Sequence, residues 1–240
     1  MKNIKISNVI IIIIIFLYIG VLIFFKIFNN RVKPLFLDIA NSECRKMATL
    51  IINDAVSRQI TSSLTAENLF NMSFDNKGNV TSIDLNSVIV NKVLTTVTNA
   101  AILNLKLLEE GKIDLLELPD SMMVSYDLND LDKGIIYRIP TGVVFGNTIL
   151  SNIGPKIPVK FSLIGSVNSN INTKITNYGI NNALIEVYVD LSVELEVILP
   201  IMTDEIIVTS SIPIAVKLIQ GSIPEYYSNG LSSNLSVPIE

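Results

Sequence analysis

From Ala183 to Leu199 every odd-numbered position is apolar: Ala183, Ile185, Val187, Val189, Leu191, Val193, Leu195, Val197 and Leu199, with Glu186, Asp190, Ser192, Glu194 and Glu196 between them. A period of two is the strand period, because successive side chains leave opposite faces of a pleated backbone. The spacing predicts one strand with a buried face and a wet face. At roughly 3.3 Å per residue it extends about 56 Å, well past the usual five or six residues, so it must curve or carry a bulge. It also needs antiparallel partners and a cover for its odd face.

Partners are present on both sides. After a turn near Pro200 to Glu205, the residues Ile206, Val208, Ile212, Ile214, Val216 and Leu218 alternate in the same way. Pro213 removes one ladder donor, which predicts an edge or a bulge at that point. Upstream, Ile157, Val159, Phe161, Leu163, Val167 and Ile171 form a third alternating segment, with Gly165 expected at a bend or bulge. Residues Gly134 to Phe145 offer a fourth strand.

The cover comes from two amphipathic segments. Phe36, Ala40, Cys44, Met47, Ala48, Ile51, Ala55 and Ile60 recur at helical spacing, which predicts a helix from about Pro34 to Ser62. A second helix, capped by Asn86 or Ser87, carries Val90, Val93, Leu94, Val97, Ala101, Leu105 and Leu108 and stops at Gly111. Its Thr95-Thr96-Val97-Thr98 cluster has poor helix propensity, so packing must compensate. Between the helices, Asp75-Asn76-Lys77-Gly78-Asn79 separates two short alternating runs within Leu69 to Leu85, the pattern of a hairpin. The acidic run Asp127-Leu128-Asn129-Asp130-Leu131-Asp132 lacks the glycine and closing glutamate of a calcium loop and is expected as a solvated loop.

At the other end of the chain, Val9 to Phe25 is an uncharged, apolar run flanked by Lys2 and Lys5 and by Lys26, Arg31 and Lys33. A helix of 17 to 20 such residues spans about 26 to 30 Å, the thickness of a bilayer hydrocarbon core. A cleaved secretory signal fits less well, since its apolar region is usually about 7 to 15 residues and ends at small residues, whereas this run leads into Lys26-Ile27-Phe28-Asn29-Asn30-Arg31. Basic residues flank the run on both sides, so charge counting does not orient it. The acidic body is expected outside the cytoplasm. The expected organisation is a basic segment at 1–8, a transmembrane anchor at 9–28, a juxtamembrane amphipathic helix at 29–62, an α+β domain of long antiparallel strands covered by helices at 63–227, and a polar tail at 228–240.

Composition narrows function by exclusion. There is no histidine, which removes Ser-His-Asp and Cys-His machinery and imidazole acid-base catalysis. No G-x-S-x-G, P-loop or dinucleotide fingerprint occurs. Glu194 and Glu196 share one strand face, but in an open ladder such carboxylates confer solubility. A net charge of −4 leaves no footprint for nucleic acid. The single cysteine, Cys44, excludes an intramolecular disulfide and reads as a small apolar helix residue. No enzyme activity and no cofactor are expected.

Several loop residues invite a second reading. Gly154, Pro155 and Lys156, with Gly179 and Asn181, sit beside strand starts, where glycine supplies positive φ or close approach and Pro155 and Pro158 block edge pairing. The same loops, with Tyr226 and Tyr227, are the candidate partner surface.

The strings Lys46-Met47-Ala48-Thr49-Leu50-Ile51-Ile52-Asn53-Asp54-Ala55, Asn152-Ile153-Gly154-Pro155-Lys156-Ile157-Pro158-Val159, Tyr178-Gly179-Ile180-Asn181-Asn182-Ala183, Ile212-Pro213-Ile214-Ala215-Val216 and Gly221-Ser222-Ile223-Pro224-Glu225-Tyr226-Tyr227 resemble the YunB family of endospore-forming Firmicutes. The resemblance runs from the anchor to about Tyr227. It implies a single-pass protein of the mother-cell or outer forespore membrane that is needed for efficient spore formation, and it brings no catalytic residue. The leading expectation is a noncatalytic assembly or scaffold component contacting sporulation or envelope proteins. The alternative is a module for lipid or another hydrophobic ligand, enclosed by curved strands and amphipathic helices.

Overall fold

The computed structural model describes residues 6–63, 69–76, 78, 80–116, 126–146, 149–177 and 182–220, with side chains described over the same ranges apart from 6–10 and 61–63. Helix α1 (Ile6–Ile27) continues through a π-helical turn (Phe28–Val32) into α2 (Lys33–Ser63) without leaving helical φ and ψ. Asn29 and Asn30 fall inside the π turn, so the one polar interruption in the sequence widens the helix and does not end it. From Ile11 to Ile27 the large apolar side chains stand exposed, as on a helix whose surroundings are themselves apolar.

Beyond this rod come a hairpin of β1 (Phe70–Phe74) and β2 (Val80–Leu85), helix α3 (Ser87–Glu109), a 3₁₀ turn at Ile113–Leu115, a single helical turn α4 (Leu128–Leu131), and β3 (Tyr137–Pro140). A 3₁₀ segment (Thr141–Phe145) then leads to three long strands, β4 (Lys156–Asn177), β5 (Asn182–Leu199) and β6 (Met202–Gln220). The order β3-β4-β5-β6 makes a four-stranded sheet, separate from the β1-β2 pair. The fold is α+β, with a long N-terminal apolar helix ahead of antiparallel strands and helices.

Helix α2 buries Phe36, Ala40, Cys44, Met47, Ala48, Ile51, Ile52, Ala55 and Val56, a stripe at the three- and four-residue spacing expected of a core face. At the start of α3 the Asn86 side chain accepts from the Val88 and Ile89 backbone N–H groups at 3.1 and 3.3 Å. Its threonines are accommodated by bonding backwards, Thr95 Oγ1 to Asn91 O and Thr98 Oγ1 to Leu94 O. Gly111 (φ 72°) closes it, with Gly111 N–H donating to Leu108 O and Lys112 N–H to Leu107 O, the paired bonds of a Schellman stop.

Strand β5 keeps its predicted alternation from Ile185 to Leu199, and Val187, Val189, Val193, Leu195 and Val197 have no solvent exposure. Other parts of the sheet depart from expectation. The turn after β5 is shorter than Pro200 to Glu205, since β6 already begins at Met202. Gly165 lies inside β4, where a Cβ would meet the Glu194 side chain, so the glycine makes room across the ladder. The fourth strand is confined to Tyr137–Pro140, because Thr141–Phe145 turns into 3₁₀ helix. Pro158 does not guard an edge, since it lies opposite Arg138 in the β3–β4 register. In β6 the inward phase changes after Pro213. Ile214 and Ala215 are both buried, while Val216 and Leu218 are exposed and Lys217 turns in to lie 5.9 Å from the Phe70 ring centroid.

The chain forms two compact units, one of residues 1–50, 105–165 and 194–208, the other of residues 51–104, 166–193 and 209–240. In the first, Asn41 Nδ2 donates to Asp204 at 2.7 Å, Arg45 to Ile207 O, and Glu109 accepts from Ser162 Oγ and Leu163 N–H. In the second, Ser210 Oγ donates to Asn53 Oδ1, and Ser169 Oγ donates to Thr98 Oγ1 at 2.8 Å, the Thr98 proton being committed to Leu94 O. Within each unit, then, helix side chains tie to strand positions by polar bonds at the margin of an apolar layer.

Candidate functional site

The loop containing Gly154, Pro155 and Lys156 belongs to the first unit and is built from close backbone approaches. Thr141 N–H donates to Pro155 O at 3.0 Å and Gly142 N–H to Ile153 O at 2.9 Å. Gly154 has φ 96°, a left-handed conformation that glycine adopts without strain. A Cβ at Gly142 would strike the carbonyls of Leu150 and Ile153, so the 3₁₀ segment rests directly on this loop.

Opposite it, Asp127 caps α4 by accepting from the Asn129 N–H at 3.0 Å, and Leu131 is fully buried beneath the turn. The acidic run is therefore exposed at Asp127, Leu128, Asn129 and Asp132, as its composition suggested, but it folds into a capped helical turn that turns Leu131 inward. Its Asp130 carboxylate receives Arg138 Nε at 2.7 Å and Nη2 at 2.8 Å, a bidentate pair that ties α4 to β3. Gly134 (φ 65°) passes so near Glu109 O that no side chain would fit.

These elements enclose a cleft of about 350 Å³. Its walls are Tyr126, Ile136, Tyr137 and Pro140 on the less polar side, and Asp127, Asn152, Lys156 and the Asp130–Arg138 pair on the other. The hydrogen bonds from Arg138 hold the Asp130 carboxyl below its ordinary range, against the opposing effect of burial, and the Arg138 guanidinium is raised in turn. Burial, then the Glu43 carboxylate, pushes the Tyr126 phenol up, while Lys46 pulls it down. Lys156 also lines the cleft and acts on the Asp130 carboxylate through space, so the cleft presents an ammonium beside two phenol rings.

Lys156 lines the cleft, and Gly154 and Pro155 shape the loop that carries it. Gly179, Asn181, Tyr226 and Tyr227 lie outside the described residues. Sequence reasoning missed Tyr126, Tyr137, Asp130 and Arg138. The eight-residue offset of an Asp and an Arg across a turn was the only available signal. The arrangement can bind by charge, hydrogen bonding and ring contact, but among the described residues it pairs no nucleophile with a base. Cys44 does not change this: burial, with Glu43 adding to it, pushes its thiol up to about 12, so it stays protonated. No His, Cys, Asp and Glu grouping among the described residues could hold a metal ion.

An α+β body behind an N-terminal apolar helix of membrane-spanning length, carrying a cleft suited to binding, defines the class. The family model described as "Sporulation protein YunB" matches residues 136–226. The sporulation protein YunB of Bacillus subtilis (strain 168) is 34% identical over 212 residues, covering 88% of this chain and 78% of the relative. The chain belongs to the YunB family of sporulation proteins. No solved structure matches it.

Proposed function

We propose that this protein is a noncatalytic, membrane-anchored assembly component of sporulation, held in the mother-cell or outer forespore membrane with its α+β body outside the cytoplasm. The observation that carries the reading is the unbroken helix from Ile6 to Ser63, whose exposed apolar half runs into the buried stripe of α2. A helix shared between membrane and body positions the body near one membrane, as an assembly platform requires. The first unit's cleft, with Lys156 and the Gly154–Pro155 loop, supplies the contact for an envelope or sporulation protein. The lipid-ligand alternative gains no support from this cleft, whose lining mixes charges and phenols and offers no row of large aliphatic side chains.

The test is a photo-crosslinking amino acid at Asn152 of the full-length protein in sporulating cells. The reading expects one reproducible, identified protein adduct that is lost, together with efficient spore formation, in Lys156→Glu. Absence of any adduct there and at Tyr137, with normal spore yield in Lys156→Glu, would overturn it.

A further inference from the structure

The second unit carries a different depression, about 600 Å³ in volume, on β4, β5 and β6. Strand alternation fixes which way its walls point. Leu191 is buried, Ser169 bonds Thr98 of α3, and Ser210 bonds Asn53 of α2, so these three face the helices and only floor the depression. Asn168, Asn170, Asp190, Ser192, Thr209 and Ser211 are their alternates and project from the opposite, solvent-side face. On that face Asp190 accepts from Asn172 Nδ2 and from Ser211 Oγ, which orients the carboxylate and still leaves acceptor sites open. Tyr188, two positions along β5 on the same face, adds an aromatic ring beside it, its hydroxyl donating to Glu186 at 3.2 Å.

From this geometry we infer that the solvent-side face of β4-β5-β6 in the second unit is a binding site for a neutral glycan. The volume lies within the roughly 300 to 1,000 Å³ of ligand sites. The amides of Asn168 and Asn170 donate and accept, the hydroxyls of Ser192 and Thr209 do both, and Ser211, whose proton goes to Asp190, and Asp190 itself only accept; a chain of sugar hydroxyls needs such a mixture. Among the described residues no lysine or arginine lines the depression, and the same-face cation Lys174 is paired with Glu186 at 3.6 Å, so the lining itself offers phosphate and other anions no counter-charge. Among the described residues an acyl chain would meet one large aliphatic side chain, Leu191. A peptide strand would find the ladder of the central strand β5 already occupied on both sides by β4 and β6. The site does not rest on the partner role proposed for the first unit.

The experiment uses full-length protein in nanodiscs, with chitotetraose and cellotetraose as probes and inorganic phosphate as the anionic comparison, read by saturation-transfer NMR and calorimetry. At least one tetrasaccharide is expected to bind, with affinity falling about tenfold or more in Asp190→Asn, where a charge-assisted acceptor is lost, and also falling in Asn170→Ala, a change at an exposed position. Lys156→Glu, in the other unit, is expected to leave sugar binding unchanged. Failure of both sugars to bind, equal binding by the folded Asn170→Ala and Asp190→Asn proteins, or displacement of sugar by phosphate would each overturn the assignment. A melting curve for each variant separates lost binding from lost folding.

Discussion

Strands β5 and β6 are adjacent, similar in length and similarly patterned in sequence, yet only β5 keeps its pattern in three dimensions. Strand β5 is central, paired on both sides, and each of its odd residues from Ile185 to Leu199 is buried. Strand β6 is an edge, and past Pro213 two consecutive residues turn inward before the alternation resumes in the opposite phase. A central strand has two neighbours to hold its register, so a slip would move every apolar side chain to the wrong face at once. An edge strand has one, and a proline there removes a donor that no neighbour on the free side required. The other edge, β3, is only four residues long and is held by a charge pair from outside the sheet. Apolar periodicity thus decides structure where pairing is two-sided, and local chemistry decides it at the rims.

The largest expected effect is in the centre. Leu195 has no exposure, and Leu195→Ala should cost about 2 to 5 kcal/mol, as for other buried leucines. Leu218, which the same sequence periodicity would place in the core, is 45% exposed, and Leu218→Ala should change stability by less than about 0.5 kcal/mol. Urea unfolding of the full chain in detergent, followed by circular dichroism, measures both. Equal losses would mean that β6 keeps a single phase. Next in size is Ala215→Leu, which overpacks a position only 6% exposed and should cost about 1 to 3 kcal/mol; Val216→Leu, on the exposed side, should be nearly neutral. A reversal of these two would place Val216 inward and remove the distinction between the strands.

The same contrast explains what the sequence made legible. The α2 stripe, the β1-β2 hairpin, the Asn86 cap, the Gly111 stop and all of β5 are local signals, each set by periodicity or by one residue's conformational preference. The phase change in β6 was hidden because Ile214, Val216 and Leu218 continue a period of two, while Ala215 is too small to announce that it is buried. The first unit's cleft was hidden for another reason. Asp130 and Arg138 meet only because Leu131 buries the α4 turn and Gly134 brings it close to Glu109, and neither fact is visible in a composition that looks like a solvated acidic loop.

Gly165 is a smaller test, placed where β4 meets the centre of the sheet. Gly165→Ala should cost about 1 kcal/mol because its Cβ meets Glu194, and most of that cost should disappear in a Glu194→Ala background, the signature of two coupled neighbours. An undiminished cost in the double variant would locate the strain in the β4 backbone and not across the ladder.

The smallest effect belongs to the β3 edge and depends on pH. Arg138 lowers the Asp130 carboxyl below its unfolded value of about 3.9 by hydrogen bonding. A group depressed in the folded state adds stability above its unfolded pKa and loses it as pH falls through the folded one. The pair's contribution is therefore whole at neutral pH, begins to fade near pH 4, and is gone below the folded pKa. Because Arg138 is about one third exposed, solvent screening keeps the expected effect small. Asp130→Asn should accordingly melt lower than the native sequence at pH 7 and converge with it under acid. A difference that grew as pH fell would show that β3 is held by something other than this pair, and the rim would then obey the same packing rule as the centre.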